Sequence, residues 1–221
     1  MNIRLTRSRV GASCAVALLA CAIWLVAPAT AQTLELPTPA ATYADRDPAG
    51  AIYPDMDPST PGIEDTLNQA VRRGRNNPVP IAQRGLYHFM QGQRSRGQRD
   101  YDRALSLAEP GSPEQRYVHW SHGWALHAAG DHAGALGQWR LAAELHGGNP
   151  HWAPSTFAMA LWSLGARELA VEFFSVAVGE DPALWRSLEA IEATTRDWRP
   201  NERLTMLSIH NQWLSTQPDG G

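Results

Sequence analysis

The sequence predicts an all-α fold of paired helices in the middle and C-terminal parts of the chain, on three observations. Apolar residues recur at helical spacing, the same residue types return at a fixed offset, and capping residues stand where one helix must end and the next begin.

The stripes come first. Ala170, Phe173, Phe174, Ala177 and Val178 lie at i, i+3, i+4, i+7 and i+8, which puts all five on one face of a helix. Ala135, Trp139, Ala142 and Ala143 form the same pattern in the preceding segment. The offset follows: Gly130 and Gly165, Ala135 and Ala170, Trp139 and Phe174, Ala142 and Ala177 are each 35 residues apart. At the same offset Gly123 falls on Ala158, Leu126 on Leu161 and Gly147 on Pro182. Gly123, Ala158, Ala135 and Ala170 are small where two helices must approach closely.

The boundaries carry caps. Ser112-Pro113-Glu114-Gln115 reads as a capping box with proline at the first helical position, and Asn149-Pro150 and Asp181-Pro182 read as the same device. Gly130-Asp131 ends one helix and opens the next. Helices are therefore expected at about 80–93, 99–109, 113–129, 132–146, 150–164, 166–179, 182–195 and 200–215. The last two are expected to close the end of the array with Trp185, Leu188, Ile191, Trp198, Leu204, Leu207 and Trp213, because a terminal hairpin otherwise exposes its apolar edge. Residues 217–221 read as a tail.

With Gly123, Leu126, Gly130-Asp131, Ala135, Trp139, Ala142 and then Leu161, Gly165, Ala170, Phe174, Ala177 and Pro182 in hand, the chain resembles the tetratricopeptide repeat class. Two repeats match. A third, from about Gly85 to Ala108, is looser, with two extra residues read between Gly97 and Tyr101. The resemblance covers about 100 of 221 residues. It implies a short right-handed solenoid of helical hairpins over 79–216, with C-terminal capping helices.

The resemblance also implies a site, since in that class the first helix of each hairpin lines a concave groove that holds a peptide or another protein. Here the groove positions are Tyr117, Trp120, Trp124 and His127, then Trp152, Ser155, Met159 and Trp162. Rigid rings bury a large area at little entropic loss, so an aromatic groove favours binding. The Lys, Arg and Asn side chains with which such grooves clamp a C-terminal carboxylate are scarce, which favours an apolar or proline-rich peptide. The alternative is that neighbouring helices, or the N-terminal leader itself, cover these tryptophans.

Ahead of the repeats, Gln32 to about Gly62 holds Pro37, Pro39, Pro48, Pro54, Pro58 and Pro61 among Asp, Thr and Ala, with neither a 2.0 nor a 3.6 period. Residues 32–78 read as a Pro-rich, acidic and mostly disordered leader, interrupted by a short helical pattern at Ile63 to Arg73. Before it, Arg4, Arg7 and Arg9 precede an apolar run from Val10 to Val26, and Ala29-Thr30-Ala31 is a small-x-small cleavage pattern. Residues 1–31 are expected to be a signal peptide that leaves Gln32 as the new terminus and places the product in the periplasm. The alternatives are an uncleaved inner-membrane anchor facing the periplasm, or lipidation at Cys21 within Leu18-Leu19-Ala20-Cys21; only these bring membrane contact.

Composition excludes several chemistries. Cleavage removes both cysteines, Cys14 and Cys21, and with them disulfides and thiol catalysis. All 19 basic residues are arginine, which leaves no lysine for a Schiff base or a phosphate cradle. Loss of three arginines moves the formal charge from −3 to −6, a poor balance for nucleic-acid binding. The arginine-rich stretch Arg72, Arg73, Arg75, Arg84, Arg94, Arg96, Arg99 and Arg103 reads as a solvated face, with contact to an acidic partner or phospholipid as the alternative.

His119 and His122 stand three apart on one helix, with His127 and His132 nearby, the pattern a metal-dependent enzyme would need. No HExxH, CxxC or GxSxG accompanies them, so no metal, cofactor or catalytic residue is expected. The reading is an adaptor or scaffold that binds a segment of an envelope protein. A membrane-tethered structural subunit is the alternative, with a metal enzyme at His119 to His132 behind it.

Overall fold

The computed structural model describes residues 36–47, 57 and 59–217; the export segment with both cysteines, parts of the leader and the end of the tail lie outside the described residues. Ten helices are described: α1 Ile63–Arg73, α2 Pro78–Met90, α3 Arg94–Leu107, α4 Pro113–Ala128, α5 His132–His146, α6 Ala153–Ser163, α7 Arg167–Glu180, α8 Pro182–Trp185, α9 Leu188–Thr194 and α10 Pro200–Thr216. No strand occurs among the described residues, so the all-α expectation holds.

The helices pack as neighbouring pairs, α2 on α3, α4 on α5 and α6 on α7. Turn chemistry sets each pairing. Gly130 and Gly165 sit between paired helices at φ 80° and 84°, a region that residues with a Cβ rarely adopt. Asp131 then accepts the N–H of Gly134 at 3.0 Å to start α5, and Ser112 accepts that of Gln115 at 3.1 Å to start α4.

Positions that repeat in the sequence are the positions that pack. Ala135, Trp139, Ala142, Ala170, Phe174 and Ala177 are all buried. The α2/α3 pair repeats the theme more closely than the sequence reading had it. Gly85, Gly92, Gly97, Tyr101 and Ala104 each stand 38 residues before Gly123, Gly130, Ala135, Trp139 and Ala142. The extra residues therefore lie in the first part of α4, which is longer than α6 ahead of the repeated position, and not between Gly97 and Tyr101.

Several expected boundaries move. Pro78 and Pro80 do not break the chain: Asn77 caps α2 by accepting the N–H of Val79 at 3.0 Å, and both prolines sit in a first turn that has no internal partner for their missing donors. α3 begins at Arg94 rather than 99, running through Gly97. Asn149-Pro150 is no cap, since α6 starts at Ala153. The helix expected over 182–195 is two, because Ser187 adopts an extended conformation and caps a new start at Ala190 N–H, 3.1 Å away.

Polar ties cross the layers. Arg84 grips Asp100 with two nitrogens at 2.9 and 2.6 Å and reaches Asn68 at 3.1 Å, joining α1, α2 and α3. Arg94 pairs with Asp131 at 2.9 Å, and Arg103 donates to the Arg75 carbonyl at 3.1 Å. The arginine stretch read as one solvated face is thus partly used inside the fold. At the far end α10 packs on α6 and α7, with Met206, Ile209 and Trp213 buried.

One relationship positions the site. α2 and α4 share a packed face, whereas α4 and α6 do not. The gap between α4 and α6 is where the cavity lies.

Candidate functional site

The cavity has a volume of about 940 Å³. One wall is α4, which contributes Tyr117, Trp120, Ser121 and Trp124; they share a face because they fall at i, i+3, i+4 and i+7. Leu86 and Met90 of α2 extend that wall, and Trp152, Ser155 and Thr156 at the start of α6 form the facing one.

The C-terminal segment arches across. Trp198 meets Trp124 edge to face at 5.3 Å and lies 6.2 Å from Trp185, while Trp124 meets Trp139 at 5.2 Å. Arg199 then hooks to the end of α4, donating to the Ala128 carbonyl at 3.0 Å. Its guanidinium also holds Glu202 at 2.8 and 2.9 Å, and its backbone N–H donates to the same carboxylate at 3.1 Å. Burial pushes the Glu202 carboxyl up, but the His127 ring 3.8 Å away and the bonds from Arg199 outweigh it, and the group stays below its ordinary value.

The remaining wall comes from the segment read as a free leader. Its stretch at residues 36–47 lies against the helices, with Tyr43 and Asp47 buried and Ala44, Asp45 and Arg46 exposed. The Tyr43 N–H donates to Glu180 at 2.7 Å. Asp45 forms an isolated parallel bridge with Pro150, accepting the His151 N–H at 2.8 Å. Asp47 accepts from Arg116 at 2.6 Å and from the Trp152 indole N–H at 3.1 Å, with His146 Nε2 at 3.9 Å. For these residues a packed segment replaces the expected disorder.

The groove positions divide accordingly. Tyr117, Trp120, Trp124, Trp152 and Ser155 line the cavity, whereas His127, Met159 and Trp162 do not. Met159 is fully buried in α6, which packs against α5, α7 and α10. His127 is buried beside the His132 ring at 4.6 Å. Trp162 packs at the core's edge, with the Arg167 guanidinium 4.9 Å from its ring centre.

Sequence reasoning took Trp185 and Trp198 for cover alone, although they also line the cavity, and missed Asp47 and Arg116 altogether. The aromatic Tyr43 within a run of proline, alanine and acid was the available signal.

The histidines separate. His119 bonds Gln138 at 2.8 Å, His122 stacks on Tyr101 at 4.2 Å, and His127 and His132 face each other. No group of three or more His, Cys, Asp or Glu side chains is placed to hold a metal ion among the described residues. Burial, and then the neighbouring His119, hold the His122 imidazole down at about 4. Neither of its ring nitrogens has a hydrogen-bond partner. This ring packs as a neutral aromatic.

The arrangement therefore offers a cavity with five indoles on its walls and an extended strip of the chain along its edge. A scan against protein-family models matches none to this chain, and a search of curated proteins returns no match.

Proposed function

We propose that residues 79–216 are a tetratricopeptide-type repeat domain, arranged as a short right-handed solenoid, on an exported periplasmic chain. Its cavity takes a peptide segment of an envelope protein, so the chain acts as an adaptor or scaffold and not as an enzyme. The observation that carries this reading is the cavity between α4 and α6, where Trp120, Trp124, Trp152 and Trp198 converge in a volume of about 940 Å³. Such a volume and lining suit a short apolar or aromatic stretch of polypeptide. The 35-residue recurrence and the glycine turns support the repeat assignment.

The test uses a photo-crosslinking residue in place of Leu184, which lines the cavity, and as a control in place of Leu204, which is 60% exposed on α10 and outside the lining. In living cells the Leu184 position is expected to trap a distinct envelope protein. Trp120→Ala is expected to abolish that product, and Trp162→Ala to leave it. Equal products from Leu184 and Leu204, or indifference to Trp120→Ala, would overturn the reading.

A further inference from the structure

The strip at residues 43–47 is held by side chains from four separate elements, all supplied by the helical body. Arg116 stands on α4, His146 at the end of α5, Trp152 at the start of α6 and Glu180 at the end of α7. The Arg116 side chain is 12% exposed and that of Asp47 6%, so the charge pair is largely withdrawn from water. A buried guanidinium needs a carboxylate or an equivalent acceptor. Here one indole N–H and one imidazole converge on the same anion.

Between its two buried pins, Ala44, Asp45 and Arg46 are exposed. Their ties to the body are at the surface: the Asp45 carbonyl accepts the His151 N–H, the Asp45 carboxylate lies 3.4 Å from His146 Nε2, and Arg46 pairs with Asp181 at 3.0 Å. Its shape is also specific. Asp47 has φ 46°, a left-handed conformation that Asp and Asn tolerate better than most residues, and its own N–H folds back to Asp45 at 3.1 Å. The body thus presents a preformed receptor for an extended segment with an aromatic residue at one position and a carboxylate four residues later.

We infer that residues 43–47 are a tethered stand-in for the partner, and that the partner enters with a segment of the same chemistry. Its aromatic side chain takes the place of Tyr43 beside Glu180, and its aspartate or glutamate takes the place of Asp47 on Arg116 and the Trp152 indole. This rests on reading the cavity as a peptide site and specifies what that site recognises at its edge. The leader competes for the site from within the chain, so that only a segment offering both features displaces it.

The test compares the wild-type full chain with a full chain carrying Tyr43→Ala and Asp47→Asn, which release both pins. The probe is a fluorescein-labelled peptide of residues 38–47, acetylated and amidated so that no terminal carboxylate confuses the result; a second probe carries Asp47→Asn. Anisotropy titration is expected to show the released chain binding the first probe at least roughly tenfold tighter than wild type does, since the wild-type site is already occupied. The released chain is expected to bind the second probe about tenfold more weakly than the first, as one charge-assisted contact is lost. Adding Arg116→Gln is expected to erase the difference between the probes.

Equal binding of both probes, or no binding by a released chain of normal helicity, overturns the inference. Loss of cooperative unfolding in the released chain overturns it too, because the strip would then be a structural clasp. A wild-type dimer with exchanged leaders would overturn it in favour of a second copy as occupant. If the Leu184 crosslink persists and depends on Trp120 while the probes fail, the cavity remains a peptide site and only the edge assignment falls.

Discussion

The indole N–H of Trp139 on α5 donates to the backbone carbonyl of Trp120 on α4 at 3.1 Å, and the ring lies over Gly123 with no exposure to solvent. A methyl group at Gly123 would collide with the indole, and one at Gly97 would meet the Phe89 ring and stand 2.8 Å from the Gly85 carbonyl. In both places two helices touch where a side chain is missing.

Gly123→Ala and Gly97→Ala are each expected to destabilise the protein by about 1–3 kcal/mol, the cost of overpacking a filled core. Gly137, also on α5, has nothing within 4 Å of the corresponding position. Gly137→Ala is expected to stabilise by roughly 0.5–1 kcal/mol through helix propensity alone. Urea unfolding of the three variants checks the opposite signs.

Acid is expected to weaken the fold through its buried imidazoles. His122 is held at about 4, against 6.5 for an unhindered ring, and burial lowers His88 and His132 as well. The unfolded chain takes up these protons first, so this stability is intact above about pH 7 and declines as pH falls from 6.5 towards 4. His122→Phe keeps an aromatic ring beside Tyr101. Between pH 7.5 and pH 5 it is expected to lose about 2 kcal/mol less than wild type in denaturant titrations.

Arg46 offers trypsin a site inside the strip, with its side chain 68% exposed. Cleavage there requires the strip to lift away. Asp47→Asn weakens a charge-assisted contact worth roughly 1.5–3 kcal/mol, so cutting after Arg46 is expected to accelerate by about tenfold or more while helicity is retained. Limited proteolysis followed by mass spectrometry measures the change; unchanged cleavage would remove Asp47 as a pin.

Export makes its own prediction. Intact mass of the protein recovered from the cell envelope is expected to correspond to a chain beginning at Gln32. A mass of 24.2 kDa would indicate the uncleaved anchor instead.

Sequence periodicity made the helical core legible because the buried positions of α5 and α7 alternate small and aromatic residues on one face. It started α2 late, at 80, although a first turn lacks partners for its N–H groups and so admits both Pro78 and Pro80. α6 misled differently. Residues 153–161 are buried all round, and their near-continuous apolar composition signalled a helix covered on every side rather than one wall of an open groove. Met159 was lost to the groove for that reason. Asp47 and Arg116 were invisible because their pairing spans 69 residues and belongs to no period.

The rim of the cavity runs from Tyr43 near one end of the described chain to Glu202 near the other, by way of Leu86, Trp124 and Trp152. A hairpin excised from the middle would keep two indoles of α4 and lose the roof above them. Unlike an array in which each unit carries its own share of a binding surface, this cavity is closed by a C-terminal segment far along the chain, so on the proposed peptide reading affinity depends on that segment having docked.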